Sequence, residues 1–250
     1  MLLEPVESLA PFAADAALEV YLLGSVGFEA ALALQKRLVY EVAGDRSRAA
    51  LVVCEHPPTI TVGREGSWAH IRFDPAELRA RRWPICWLNR GGGCLLHLPG
   101  QLVAYPVLPL DRLGLGVQAY IDRLQLAAAD VLADFSVAGQ VHRGHPGVWA
   151  GGRLLAGVGV AIRHWVSYHG LYFNIAPDLE PFRRLRTSRL ADLPMTSLAR
   201  ERRGSPNPAL VRQRFLEYFA ARFAFTRTSL FFDHPSLCKK APSDAVAASY

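Results

Sequence analysis

The sequence predicts an α/β fold in which a mixed β-sheet is flanked by helices. Short apolar runs of strand length, such as Ala50 to Cys54 and Leu154 to Ile162, recur along the chain. Three longer segments place apolar residues on one helical face. The two kinds of segment mix without strict alternation, which argues against a purely parallel βαβ array. At 250 residues and 51% hydrophobic, the chain can bury a sizeable core, so disorder is excluded.

The elements follow in order. Residues 1–18 are rich in Ala and Pro and are expected to be irregular. Val20 to Leu23 reads as a short strand. Ser25 can cap a helix to about Ala43, with Ala31, Leu34, Leu38 and Val42 on one face. Ala50 to Cys54 is a buried strand. Glu55-His56-Pro57-Pro58 interrupts it, the paired prolines exclude a helix, and Thr59 to Val62 resumes extended. Asp74 caps a short helix over Pro75 to Arg81, with proline at its first position. Ile85 to Leu88 is a strand feeding a glycine-rich loop, and Leu102 to Val107 is strand-like beyond it. Val117 to Ala133 is a second long helix. Gly151-Gly152 joins paired strands at Gly147 to Trp149 and Leu154 to Ile162. Leu171 to Ile175 is a further strand after His169-Gly170. Asn207-Pro208 opens a last helix to about Phe223, and a loosely held tail is expected after Thr226.

Composition narrows the function classes. No run of 18 apolar residues exists, so no membrane span is predicted. The acidic start, with Glu4 and Glu7, lacks the basic region of a secretory signal. Cys54, Cys86, Cys94 and Cys238 have no metal-ligand spacing, and Asp178 and Asp192 have no partners at such spacing. The expectation is free thiols in a cytoplasmic protein, with no metal and no cofactor. The net charge of +6 favours an acidic protein partner rather than nucleic acid, since no dense basic run alternates with aromatics. Arg183 to Arg189 reads as a solvated basic face. Only Lys36, Lys239 and Lys240 supply amines, so the stretch from Arg37 to Cys238 must work without a lysine.

The most informative segment is Arg90 to Val107, RGGGCLLHLPGQLVAYPV. Gly91, Gly92 and Gly93 let the backbone approach a ligand closely. His97 follows them by four positions, and Pro99-Gly100 marks a turn. A plainer reading is a glycine-rich hairpin with a packed histidine.

This segment does not stand alone. EHPPTITVGR (Glu55 to Arg64), the glycine segment, GVWAGGRLLAGVGV (Gly147 to Val160), HGLYFNI (His169 to Ile175) and MTSLARE (Met195 to Glu201) occur in this order. Together they resemble the lipoyl(octanoyl) transferase family, also called lipoate–protein ligase B, over about residues 19–225. The resemblance implies the catalytic domain shared by biotin and lipoate ligases, with residues 226–250 as a C-terminal tail. It also implies transfer of an octanoyl group from acyl carrier protein to a lysine of a lipoyl domain or of the glycine cleavage H protein. The family's mechanism uses a cysteine nucleophile and an acid–base lysine, and a thiolate suits attack on a thioester. By the same resemblance Arg90, Gly91, Gly92, Gly93, His97, Gly100, Gln101, His169, Gly170 and Asn174 are expected to surround the acyl group.

The chain departs from the family at both catalytic positions. The block that carries the family's lysine is here Leu154-Leu155-Ala156-Gly157-Val158-Gly159, and the lysine falls on Leu154. The block that carries its cysteine is Asp178-Leu179-Glu180-Pro181-Phe182, five residues, then Ser188-Arg189, and the cysteine falls on Ser188. Leucine carries no proton to exchange, and serine is a weak nucleophile without a base. The standard mechanism is therefore expected to be lost, leaving either a transferase with a changed nucleophile or an inactive relative that binds a lipoyl domain, an acyl carrier or an acyl ligand. Cys94 is either a relocated nucleophile or a buried structural cysteine. Ser188 with His97 or His169 as base is another route. Arg153 is either a cation near the missing amine or a surface charge. His56 reads as structural, and the five tryptophans as core or edge residues. Leu95-Leu96 and Leu98 predict an apolar, narrower pocket.

Overall fold

The structure, a computed structural model, describes residues 16–142, 145–187 and 193–237. In chain order the strands are β1 (Ala17–Ser25), β2 (Ala49–Glu55), β3 (Thr59–Val62), β4 (Ile85–Trp87), β5 (Cys94–His97), β6 (Gln101–Val107), β7 (Gln140–His142), β8 (His145–Ala150), β9 (Arg153–Arg163), β10 (Val166–Asn174) and β11 (Arg227–Phe231). The helices are α1 (Phe28–Gly44), α2 (Pro75–Arg81), α3 (Val117–Asp134), α4 (Leu198–Arg202) and α5 (Pro208–Arg222).

Eight strands form one sheet in the order β11-β1-β2-β6-β10-β9-β8-β7, and β4-β3-β5 form a second. The large sheet is mixed. β1 runs parallel to β2 and β11, while β6, β10, β9, β8 and β7 add on antiparallel. This is the fold class the sequence predicts.

Alternation along β2 shows how the sheet sorts its neighbours. Ala49, Leu51 and Val53 face a core shared with α3 and α5, which includes Tyr120, Leu124, Phe215 and Phe219. Ala50, Val52 and Cys54 face the opposite core, with Leu34 and Leu38 of α1 and Ile60 and Leu96 of the small sheet. A strand covered on both faces reads as an unbroken apolar run, which is why Ala50 to Cys54 shows no polar alternation.

Local chemistry sets most boundaries. The Asp74 carboxylate accepts from the Ala76 amide at 2.7 Å and Pro75 opens α2. Asn207 caps α5 through the Ala209 amide at 2.9 Å, with Pro208 next. Gly151 and Gly152 adopt φ of 54° and 74°, the left-handed pair that a tight β8–β9 turn needs.

Four expectations require correction. Ser25 does not cap α1. It ends β1, and Gly27 precedes the helix with no side-chain cap. The glycine segment is not a hairpin, because β5 pairs with β3 in the small sheet while β6 pairs with β2 and β10 in the large one. Residues Arg227–Phe231 form an edge strand on β1 rather than a loose tail, and Phe231 stacks on Tyr21 with ring centroids 5.2 Å apart. Ala17 and Leu18, expected to be irregular, open β1, while residues 1–15 lie outside the described residues.

Phe215, Phe219 and Phe223 stack along α5 with centroid separations of 6.0 and 4.6 Å, and none is exposed. Truncating the middle ring opens a cavity that its packed neighbours cannot fill. Phe219→Ala is expected to lower unfolding stability by about 3–5 kcal/mol, read from urea denaturation.

Candidate functional site

A cavity of about 520 Å³ opens where the glycine loop crosses the large sheet. β8 pairs with β9 only from Arg153 to Gly157. Beyond that point the edge of β9 takes the loop instead, and the Gly91 amide donates to the Val160 carbonyl at 3.0 Å. Further backbone bonds fasten the loop to the end of β3, from Gly63 to Gly93, Arg64 to Arg90 and Glu65 to Gly92, at 3.0 to 3.1 Å. The loop thus roofs a space floored by β9 and β10.

Of the residues the resemblance brings to the acyl group, Arg90, Gly91, Gly92, Gly93, His97, His169 and Gly170 line this cavity. Gly100, Gln101 and Asn174 do not. The Gln101 amide donates to the Asn174 carbonyl oxygen at 2.8 Å, and the Asn174 amide donates to the Thr196 carbonyl at 3.0 Å. Gly100 donates to Glu55 and accepts from Ile175 and Ala176. These three residues bind the turn before β6 to the end of β10. Their polar groups are consumed inside the protein, so they build the cavity from behind rather than touch its contents.

Arg90 is 7% exposed and makes no ion pair among the described residues. Its guanidinium donates to the Thr61 hydroxyl at 2.8 Å, to the Thr61 carbonyl at 3.1 Å and to the Gly91 carbonyl at 3.0 Å. Burial pulls its pKa down from the ordinary arginine range.

Three histidines gather around Tyr105. His56 Nδ1 donates to the Val26 carbonyl at 2.7 Å, which leaves Nε2 to accept from the Tyr105 hydroxyl at 2.8 Å. His56 is satisfied and structural, as its sequence context suggests. The His97 ring lies 5.1 Å from that of His56, and its Nδ1 has no hydrogen-bond partner among the described residues. His169 adopts φ of +55°, rare for a residue with a side chain, and this turns it toward Tyr105, at a ring separation of 6.4 Å. The Gln35 side chain of α1 holds the kink by accepting from the His169 amide at 2.8 Å. His169 Nε2 is likewise buried without a hydrogen-bond partner among the described residues. Burial, with the Arg90 charge, pushes the His169 pKa down to about 3 and that of His97 well below its ordinary value. Both rings are neutral near pH 7.

Leu154, on which the resemblance puts the family's lysine, is 5% exposed and lines the cavity. Arg153 lies one residue away on the same strand and so faces the other side. It forms a two-oxygen ion pair with Glu201 at 2.8 and 3.1 Å, beside a separate cavity of about 440 Å³ that Arg183 and Arg200 also line. Arg153 is therefore no stand-in for an amine at position 154. Ser188 lies outside the described residues. Its neighbour on the N-terminal side, Thr187, lines the main cavity. Cys94 also lines it. Its thiol sits 3.7 Å from the Ser67 carbonyl, and burial raises its pKa, which favours the less nucleophilic thiol form. Cys94 and His97, three apart on β5, face opposite sides of the strand. Leu95 reaches the cavity, whereas Leu96 and Leu98 pack into the core.

Phe28, Val103, Tyr105 and Tyr172 complete the apolar wall, and sequence reading missed all four. Tyr172 follows Gly170 by two positions, and that period-two spacing was the available signal. Its ring occupies the space above Gly157, its cross-strand partner. A Cβ on Gly157 would come within 2.6 Å of three Tyr172 atoms, so only glycine fits there.

Gly157→Ala is expected to cost about 1–3 kcal/mol by overpacking, and adding Tyr172→Ala should recover part of the lost melting temperature. A second expectation concerns acid. The unfolded chain binds protons on His97 and His169 near pH 6.5, whereas the folded chain does so only at much lower pH. Stability should therefore fall as pH drops below about 6.5, by at most about 1.4 kcal/mol per pH unit for each ring. His169→Asn, which tolerates the left-handed backbone, should flatten that slope between about pH 5 and 6.5 in thermal melts.

Comparison with known proteins agrees with this architecture. The family model "Lipoyl protein ligase A/B catalytic domain" matches residues 28–220. An octanoyltransferase of Geobacter metallireducens is 40% identical over 177 residues, covering 71% of this chain and 80% of that protein. One of Desulfovibrio desulfuricans is 36% identical over 200 residues, covering 79% and 83%. Among solved structures, lipoate-protein ligase A bound with ATP superposes with a TM-score of 0.66 at 14% identity, covering 87% of this chain and 88% of that one. The Plasmodium falciparum LipL1 complex with lipoate gives 0.69 at 10% identity, covering 88% and 67%. A bipartite lipoate protein ligase of Thermoplasma acidophilum, solved with its E2 lipoyl domain, gives 0.65 at 14%, covering 88% and 87%. At those identities the structures speak to fold alone, but the family model and the sequence relatives carry further: this chain belongs to the lipoyl protein ligase A/B catalytic domain family, on its octanoyltransferase branch.

Proposed function

We propose that this protein handles octanoyl or lipoyl groups in lipoate metabolism, having lost the standard cysteine–lysine mechanism of octanoyl transfer. The observation that carries this reading is Leu154. It lines the main cavity, 5% exposed, and presents methyl groups at the position to which the resemblance assigns the family's lysine. No lysine lines the cavity among the described residues. The cysteine that does line it, Cys94, is disfavoured as a thiolate by burial.

What remains suits an acyl chain. The walls are aliphatic and aromatic, the two histidines are neutral, and the roof is glycine backbone. About 520 Å³ leaves ample room for eight carbons, each methylene of which gains about 0.8 kcal/mol on burial. The partners that fit this reading are an octanoylated acyl carrier protein and a lipoyl domain or glycine cleavage H protein, all met in the cytoplasm. The net charge of +6 supports attraction of acidic carriers.

The test is transfer of octanoate from octanoyl-acyl carrier protein to an apo lipoyl domain. The wild-type chain is expected to give no turnover while retaining carrier or lipoyl-domain binding, and Leu154→Lys combined with Ser188→Cys is expected to turn over. Measurable wild-type transfer, abolished by Ser188→Ala or Cys94→Ala, would establish a transferase with a changed nucleophile instead of an inactive binder, and failure to bind any acyl carrier, lipoyl domain or acyl ligand would overturn the reading.

A further inference from the structure

The Tyr172 hydroxyl is a polar group that no described residue uses. Tyr172 is 7% exposed, so its ring is more than nine-tenths buried. It lines the main cavity, and its hydroxyl makes no hydrogen bond among the described residues. A hydroxyl that reaches into an apolar cavity and spends no bond on the protein's described residues is left free to bond to what the cavity holds.

Its placement says which part of the ligand. The Tyr172 oxygen lies 2.5 Å from where a Gly157 Cβ would be. Gly157 pairs across β8–β9 with Gly147, and the Gly147 Cβ position is 2.6 Å from a methyl of Leu154 and 3.5 Å from the Gly157 Cα. The phenol and Leu154 therefore overlook one patch of wall, made of two glycines. Leu154 marks the reacting end of the site by family resemblance, so the phenol stands at that end and not along the acyl tail. Burial raises the Tyr172 pKa above the ordinary phenol range, so the group keeps its proton and remains a hydrogen-bond donor.

We propose that the Tyr172 hydroxyl donates a hydrogen bond to the carbonyl oxygen of an acyl group held in the main cavity, and so positions the head of the ligand in a site that has no amine. The inference rests on the acyl-binding reading above. It makes Tyr172 a ligand-contacting residue that selects for a carbonyl, alongside the unpaired His97 and His169 nitrogens that border the same space. No bond is made or broken in this contact, and the phenolic proton stays on oxygen.

Two probes separate this claim from the reading beneath it. Methyl octanoate has the carbonyl, and methyl octyl ether has the same length without it. Their affinities for the full chain are measured by competition against a fluorescent fatty acid, for wild type and for Tyr172→Phe, which keeps the ring on Gly157. The expected result is that wild type prefers the ester and that Tyr172→Phe weakens ester binding about three- to tenfold while leaving the ether unchanged, the size of one hydrogen bond. Equal losses for both probes, or none for either, overturn the role of the hydroxyl while leaving the acyl pocket intact. Failure of wild type to bind either probe overturns the acyl pocket and this inference with it.

Discussion

The site depends on one junction, where the glycine loop is held between two sheets. The loop belongs to the small sheet by sequence, since β5 follows it directly. It reaches the large sheet through the bond from Gly91 to the Val160 carbonyl. Arg90 fixes the geometry from inside, spanning Thr61 of β3 and the loop's own backbone. A guanidinium offers several donors in a rigid fork, so one side chain can hold strand and loop together. The cost is a cation taken out of water with no ion pair among the described residues, offset by three hydrogen bonds to oxygen. Loosen that fork and the roof of the cavity loses its registration against β9.

The electrostatics of the cavity follow from this choice. A buried cation disfavours protonation of nearby imidazoles, and desolvation acts in the same direction. His97 and His169 are accordingly neutral, and each carries a nitrogen with no hydrogen-bond partner among the described residues. His56 shows the contrast within the same cluster. Its two ring nitrogens are both bonded, so it has nothing to offer a ligand. The left-handed backbone at His169 adds local strain, which Gln35 helps to hold.

Much of this was legible in the residues. The caps at Asp74 and Asn207, the Gly151-Gly152 turn and the helical spacing from Val117 could be read because each depends on local chemistry. The ordered motifs brought Arg90, the glycines, His97 and His169 to one cavity. What could not be read was what only the third dimension decides. Gln101 and Asn174 sit within the same motifs, yet their amides are spent on each other and on the backbone of Leu98 and Thr196. The β5–β6 segment resembles a hairpin, and only strand pairing shows the chain passing from one sheet to another. The aromatic wall was invisible because Phe28, Tyr105 and Tyr172 come from α1, β6 and β10. The strand β11 was missed because five exposed residues carry no burial pattern, and their order comes from pairing with β1 at the far end of the chain.

The wall around position 154 is laid down by main chain. The Leu154 amide donates to the Pro194 carbonyl at 2.8 Å, and its own carbonyl accepts from the Thr196 amide at 3.0 Å. Peptide groups make these bonds whatever side chain they carry, so the architecture is blind to the identity of that residue. The side chain at this spot can then change with little disturbance to the scaffold, and shape and reactivity are free to evolve on separate clocks.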